Sequence, residues 1–315
     1  MKKLSIKAIW KLLGKSFKGF GEDKVTKLSA SLAYSTVFSL GPLLIVIIFL
    51  CGIFFGQEAV QGSVYNQMKQ FVGEDAALQL QTIIQNAAIS GKGELAAIIG
   101  VITLLIGATA VFAEIQDSIN SIWGIKPKPK KSWLKVIMNR LLSFSMIVSL
   151  GFLLLVSLAV STVVEGLSKK LQQVLPDVAV IVFYIFNLVV SFVVIAILFA
   201  VIFKVLPDAK IKWKDVFPGA IASAILFMIG KFGISFYISK SNIGTTYGAA
   251  GSLVILLLWV YYSSIILYFG AEFTKAYAVN YGGKIYPNEY AVTLKQVEVE
   301  EGKKSIQDNK KEMKI

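Results

Sequence analysis

The residues of this chain that could do chemistry are few, and what is missing narrows the field first. Its 315 residues include no histidine and a single cysteine, Cys51. A disulfide within the chain, a Cys/His zinc site, a histidine acid or base and a Ser/His/Asp triad are therefore excluded. No GxxxxGK[ST] phosphate loop is present, so direct use of ATP is not expected. What remains is carboxylates, lysines and hydroxyls. Glu114, Asp117 and Asn120 fall close together in FAEIQDSIN, and with Arg140 and Glu272 they read as a polar cluster at one rim of a membrane. Such groups either pair with rim cations such as Arg140, Lys204 and Lys275 or meet a substrate or ion. A metal-dependent nuclease would need several convergent carboxylates, often with histidine, and a stacking groove for RNA. Glu114, Asp117 and Glu272 alone do not supply that, so no catalytic residue, metal or cofactor is expected.

The second set is Lys231, Tyr34, Ser35, Ser39 and Tyr247, the candidate ligands for a substrate's polar group. Ser31, Tyr34, Ser35 and Ser39 share one side of an apolar helix that also carries Gly41 and Pro42. A proline there removes one backbone donor and crowds the preceding turn, so a kink is expected near mid-membrane. The freed carbonyl then needs a hydroxyl or water. The same stripe serves equally well as a small-residue packing face. Lys231 interrupts an otherwise apolar span. It either snorkels to headgroups or faces a cavity and binds a phosphate or carboxylate.

The elements that must position these residues are membrane spans. Apolar residues make up 56% of the chain, above the globular average. Uncharged runs of about 20 residues or more are long enough to cross a hydrocarbon layer of about 30 Å. Six spans are predicted, at about 28–55, 95–115, 141–164, 178–203, 217–238 and 249–271, within a membrane domain at 28–278. The sixth opens on small residues, Gly248 and Gly251 among them, which let a neighbouring backbone approach closely. Residues 57–93 form an external loop with short amphipathic helices. The fold class is thus an all-α polytopic bundle, preceded by an amphipathic basic segment at 1–27 and followed by a charged flexible tail at 279–315.

At 100° per residue, Ile6, Ile9, Trp10, Leu13, Phe17 and Phe20 lie on one side of the first helix and Lys7, Lys11, Lys15 and Lys18 on another. An aromatic face with a lysine face suits an interfacial helix whose partners are membrane lipids with anionic headgroups. Packing on another part of the protein is the alternative. Counting Lys and Arg gives orientation. Residues 1–27 hold eight lysines, the second loop five and the fourth four, against two, two and one in the first, third and fifth. By the positive-inside rule both termini are cytoplasmic. Most of the net charge of +13 is then topology, and nucleic acid is not expected as a partner.

Four segments carry a specific resemblance: ASLAYSTVFSLGPLL (Ala30 to Leu44), FAEIQDSINSIWG (Phe112 to Gly124), LPDAKIKWKDVFPGAI (Leu206 to Ile221) and YGAAGSLVILLLWVYYSSIILYFGAEFTKAYA (Tyr247 to Ala278). Over roughly residues 20 to 280 the chain resembles the YihY/virulence factor BrkB family of bacterial inner-membrane proteins. The resemblance implies a six-span protein of the bacterial cytoplasmic membrane. Some members carry an old ribonuclease label and others were named for serum resistance. Together with the residues, it points to a carrier or flippase of a lipid or other amphipathic anion. A non-catalytic scaffold or envelope-integrity factor is the alternative, and a ribonuclease the weakest reading; a second copy of the chain is the other partner considered, as a homo-oligomer. A polar chamber between the first, fifth and sixth spans would favour transport, and a solid bundle a scaffold.

Overall fold

The computed structural model describes residues 6–37, 74, 78, 109–128, 176–241 and 251–294. Helix α1 (Ile6–Glu22) comes first. A short turn follows, in which Lys24 takes a left-handed φ of 51°, and α2 then occupies residues 25–37. Residues 109–122 form α3. Then come β1 (Ile125–Pro127), α4 (Pro176–Val205), β2 (Ala209–Lys210), α5 (Trp213–Lys240), α6 (Gly251–Asn280), β3 (Tyr286–Pro287) and β4 (Ala291–Thr293).

The segments Ile181–Val205, Trp213–Ile238 and Leu253–Asn280 are each long and apolar enough to cross a membrane. Their surface says what solvent they require. Along α5, Phe217, Ile221, Ile225, Ile229, Phe232 and Phe236 recur at three- and four-residue steps and are all exposed. In water that stripe would be an aggregation surface; against acyl chains it costs nothing. These three helices correspond to the last three predicted spans. The first and second are described only as α2 and α3. The third predicted span (141–164) lies outside the described residues, as does the first external loop apart from Glu74 and Leu78, both helical.

Lipid offers little hydrophobic drive for helices to associate, so they must fit closely. On α5 and α6 the fit is reciprocal. A Cβ on Gly219 would overlap the Thr274 side chain, and a Cβ on Gly270 would overlap Ser223. Each small residue is thus the socket for a hydroxyl residue four positions from the other socket. Those hydroxyls cost nothing in lipid, because Ser223 donates to the Gly219 carbonyl (2.9 Å) and Thr274 to the Gly270 carbonyl (2.8 Å). A third approach seats the Tyr262 hydroxyl over Gly230. Beside this seam lie Phe203, Leu206, Val216, Ala220, Ala224, Tyr268 and Ala271, all fully buried.

The structure departs from an all-α fold at one end of the bundle. There β1 pairs antiparallel with β4, Ile125 opposite Thr293, and β2 pairs antiparallel with β3, Ala209 opposite Pro287. Gly124 makes the turn from α3 into β1 at a φ of 65°, the left-handed conformation in which helices commonly end on glycine. The Leu294 amide closes the ladder onto the Gly124 carbonyl at 2.7 Å. Within the segment expected as a flexible tail (279–315), residues 281–294 fold back over the bundle end; residues 295–315 lie outside the described residues. Composition misled here because strands of two or three residues are too short to show alternation.

The α1 helix packs on another part of the protein, the alternative that its sequence left open. Ala8, Leu12 and Ser16 are buried, and Leu12 packs with Phe273 and Tyr277 of α6. The Phe17 and Phe269 rings sit 4.9 Å apart. Trp10 stays 71% exposed on the next face, with Ile9 and Phe17 also exposed, and the lysines occupy the third.

Candidate functional site

Helices α2 to α6 enclose an open groove of about 430 Å³. Its lining is apolar: Leu32 from α2, Val111 and Ile115 from α3, Ile195, Leu198, Phe199 and Ile202 from α4, Phe227 from α5, and Trp259, Val260 and Leu267 from α6. The aromatic wall is set by edge contacts. Phe227 meets Phe199 at 6.1 Å and Trp259 at 6.0 Å between ring centroids. Three hydroxyls reach the lining, Thr36, Ser263 and Ser264. Each donates to the carbonyl four residues back in its own helix: Thr36 to Leu32 (2.8 Å), Ser263 to Trp259 (2.8 Å) and Ser264 to Val260 (2.7 Å). Among the described residues the groove thus offers a hydrocarbon surface and little polar recognition.

At the strand-bearing end the polar residues gather on Asp208, which is 1% exposed. Its Oδ1 accepts from Gln116 Nε2 (3.0 Å) and the Tyr290 hydroxyl (3.0 Å), and its Oδ2 accepts from Asn120 Nδ2 (2.9 Å). The Asp208 backbone amide returns a bond to Asn120 Oδ1 at 2.8 Å. One carboxylate therefore ties α3, the α4–α5 connection and the β3–β4 segment. A buried charge survives in such a place because its oxygens accept several well-formed hydrogen bonds. Burial and the Asp208 charge together raise the Tyr290 hydroxyl above the usual tyrosine range. Trp123 adds a bond from Nε1 to the Ala271 carbonyl at 3.0 Å. Asp215, in the first turn of α5, is also buried and accepts from the Gly283 amide at 3.0 Å.

A third node joins α1 to α6. Lys275 Nζ lies 3.1 Å from Asp23 Oδ2 and 3.7 Å from Glu272 Oε2. Glu272 is 3% exposed and faces Gly19 so closely that a Cβ there would come within 2.5 Å of its carboxylate. Among the described residues, Glu272 Oε1 has no hydrogen-bond partner.

The model of the virulence factor BrkB family matches residues 16–291. The chain belongs to the virulence factor BrkB family. The match runs from inside α1 to β4, so the Asp208 node and the groove both lie within the BrkB unit. Among curated proteins, the chain is 28% identical over 267 residues to a UPF0761 membrane protein of Alteromonas mediterranea, covering 84% of this chain and 86% of that one. It is 26% identical to a UPF0761 membrane protein of Vibrio vulnificus, covering 81% and 78%. A third, from Ralstonia nicotianae, is 28% identical over 80% of this chain, which spans 55% of that relative's length. No solved structure matches.

Within this BrkB-family chain the sequence-predicted residues fall in different places. Asn120 is buried in the Asp208 node, and Glu272 is held beside Lys275, one of the cations expected for it. Glu114 is half-buried. Asp117 is exposed. Gly251 is buried as the first residue of α6. Tyr34 is 65% exposed and Ser35 half-buried on α2, and neither lines the groove. Lys231 is half-buried on α5, with its ammonium 5.5 Å from the centroid of the exposed Phe232 ring, and it also lies outside the groove lining. Ser39, Gly41, Pro42, Arg140, Tyr247 and Gly248 lie outside the described residues. Asp208 and Tyr290 were missed. The first sat in a lysine-rich loop read only for topology, and the second in a segment read as tail.

Proposed function

We propose that this protein is a carrier in the bacterial cytoplasmic membrane that moves a lipid or another amphipathic anion, with both termini in the cytoplasm. The apolar groove of about 430 Å³ is the observation behind this reading. An acyl chain would fill it without burying an unpaired polar group, whereas a small charged solute would lose its hydration there without compensation. The groove is neither the polar chamber that would have favoured transport of a polar solute nor a solid bundle, so in this reading the substrate's head is met elsewhere. The lysine face of α1 is suited to anionic headgroups at the cytoplasmic surface. Neither catalysis, cofactor nor nucleic acid has a part in this reading.

The scaffold reading is favoured by a different feature. The close α5–α6 seam and the Asp208 node make a firmly closed end, as a fixed docking platform would need. Reconstitution separates the two. Vesicles containing the full chain should bring fluorescent phospholipid from the inner to the outer leaflet, where a quencher reaches it. Ser263→Phe, which fills the groove, should slow this at least tenfold with the helix content retained. Wild-type vesicles no faster than protein-free ones would remove the carrier and leave the scaffold.

A further inference from the structure

A second cavity lies where α1 crosses the end of α6. It holds about 260 Å³ and is lined by Lys11, Leu12, Lys15, Asn280 and Tyr281. Unlike the groove, it is built from donors. Lys11 and Lys15 are one helical turn apart, so their ammonium groups reach over the same side of α1. Lys15 gives one hydrogen bond to Asn280 Oδ1 at 2.5 Å, which fixes the ammonium at the cavity edge and leaves two of its three donors. Asn280 Nδ2 is held by the Ala276 carbonyl at 2.5 Å and retains a second N–H. The carbonyls of Tyr277 and Ala278, which would repel an anion, are already taken by the amides of Tyr281 and Gly282. Leu12 forms an apolar floor, and among the described residues no carboxylate lines the cavity.

We propose that this cleft binds a phosphate monoester, the headgroup of a lipid such as phosphatidic acid or a free phosphate of the same chemistry. The charge count favours it over a phosphodiester: two ammonium groups match a group carrying about −1.5 to −2 charges with three acceptor oxygens. Its position favours it too. The exposed Trp10 and Phe17 set α1 at the level of the acyl boundary, with the cleft on the side facing the aqueous surface. The inference rests on reading α1 as an interfacial helix. It goes further, because it assigns the affinity to two particular lysines instead of to the whole basic face.

The test compares two double variants of the full chain in detergent. Lys11→Ala/Lys15→Ala empties the cleft. Lys7→Ala/Lys18→Ala removes the same charge from the flank of the same face. Each is checked for helix content and monodispersity, then scored for phosphatidic acid retained, with phosphatidylglycerol as the diester control. The cleft predicts that wild type and the flank variant retain phosphatidic acid within about twofold of each other and above phosphatidylglycerol. It predicts that the cleft variant loses at least about fivefold. Displacement of the lipid by millimolar inorganic phosphate would show that the phosphate group alone suffices; resistance to it would show that the site needs the lipid. Equal loss in both variants, or retention that does not distinguish monoester from diester, would overturn the proposal. Since retention needs no movement across a membrane, binding without transfer would count against the carrier and not against the cleft.

Discussion

At the residue scale the molecule depends on a carboxylate that its sequence does not advertise. Asp208→Ala would leave the donors of Gln116, Asn120 and Tyr290 without their acceptor. Orphaned buried donors cost about 1 to 3 kcal/mol each, so thermal unfolding in detergent should show a loss of about 3 kcal/mol or more. Tyr290→Phe removes one bond and should cost about 1.5 kcal/mol. It should also change the alkaline limb of stability. The folded state holds this phenol's proton more tightly than the unfolded chain does. That stability is complete below the unfolded tyrosine pKa of about 10 and is lost as pH rises through the higher folded value. The decline of melting temperature above pH 10 should therefore be shallower in Tyr290→Phe; an unchanged slope would show that Tyr290 does not contribute to it. Lys231 gives the opposite expectation. It lies outside the groove lining, so Lys231→Met should retain most lipid transfer, and loss of transfer with the fold intact would assign it to the headgroup. Asn120 was legible as a polar residue at a span end, while Asp208 was not. Its partners lie 82 to 92 residues away, and no local pattern encodes such a meeting.

At the scale of elements, α4, α5 and α6 were readable because span lengths follow from bilayer thickness, and α1 because an apolar face and a lysine face recur within 17 residues. The strands were not, since a two-residue ladder is defined by its partner. The α5–α6 seam was not: close approach was expected at the small residues that open the sixth span, whereas it is Gly219 and Gly270 that each receive the other helix's hydroxyl residue. Two glycine substitutions probe this. Gly219→Ala forces the seam apart against Thr274 and should cost about 1 to 3 kcal/mol. Gly14→Ala, on α1, meets nothing within 4 Å and should stabilise that helix by about 0.5 to 1 kcal/mol. If both substitutions shifted the melting temperature alike, the seam would not be the tight contact that its geometry requires.

At the scale of the whole molecule, strand pairing gives a topological result that charge counting could only suggest. Because β1 pairs with β4 and β2 with β3, residues 125–127, 209–210 and 286–293 lie on one side of the membrane. Reporters after Lys128 and after Leu294 should therefore read the same compartment, the cytoplasm if the lysines set orientation, and one near Gly73 the opposite one. An external signal at residue 128 alone would break the six-span arrangement. The same pairing has a consequence for biosynthesis. Ile125 leaves the ribosome long before its partner Thr293, so α3, α4 and α5 are made while their strand-bearing end still lacks its last strands. The nascent protein must wait with Asp208 short of its Tyr290 bond until residue 290 has been made. A chain stopped after Asn280 should insert with normal topology yet be cleaved more readily by added protease, because it lacks the residues 281–294 that close the strand-bearing end of the bundle.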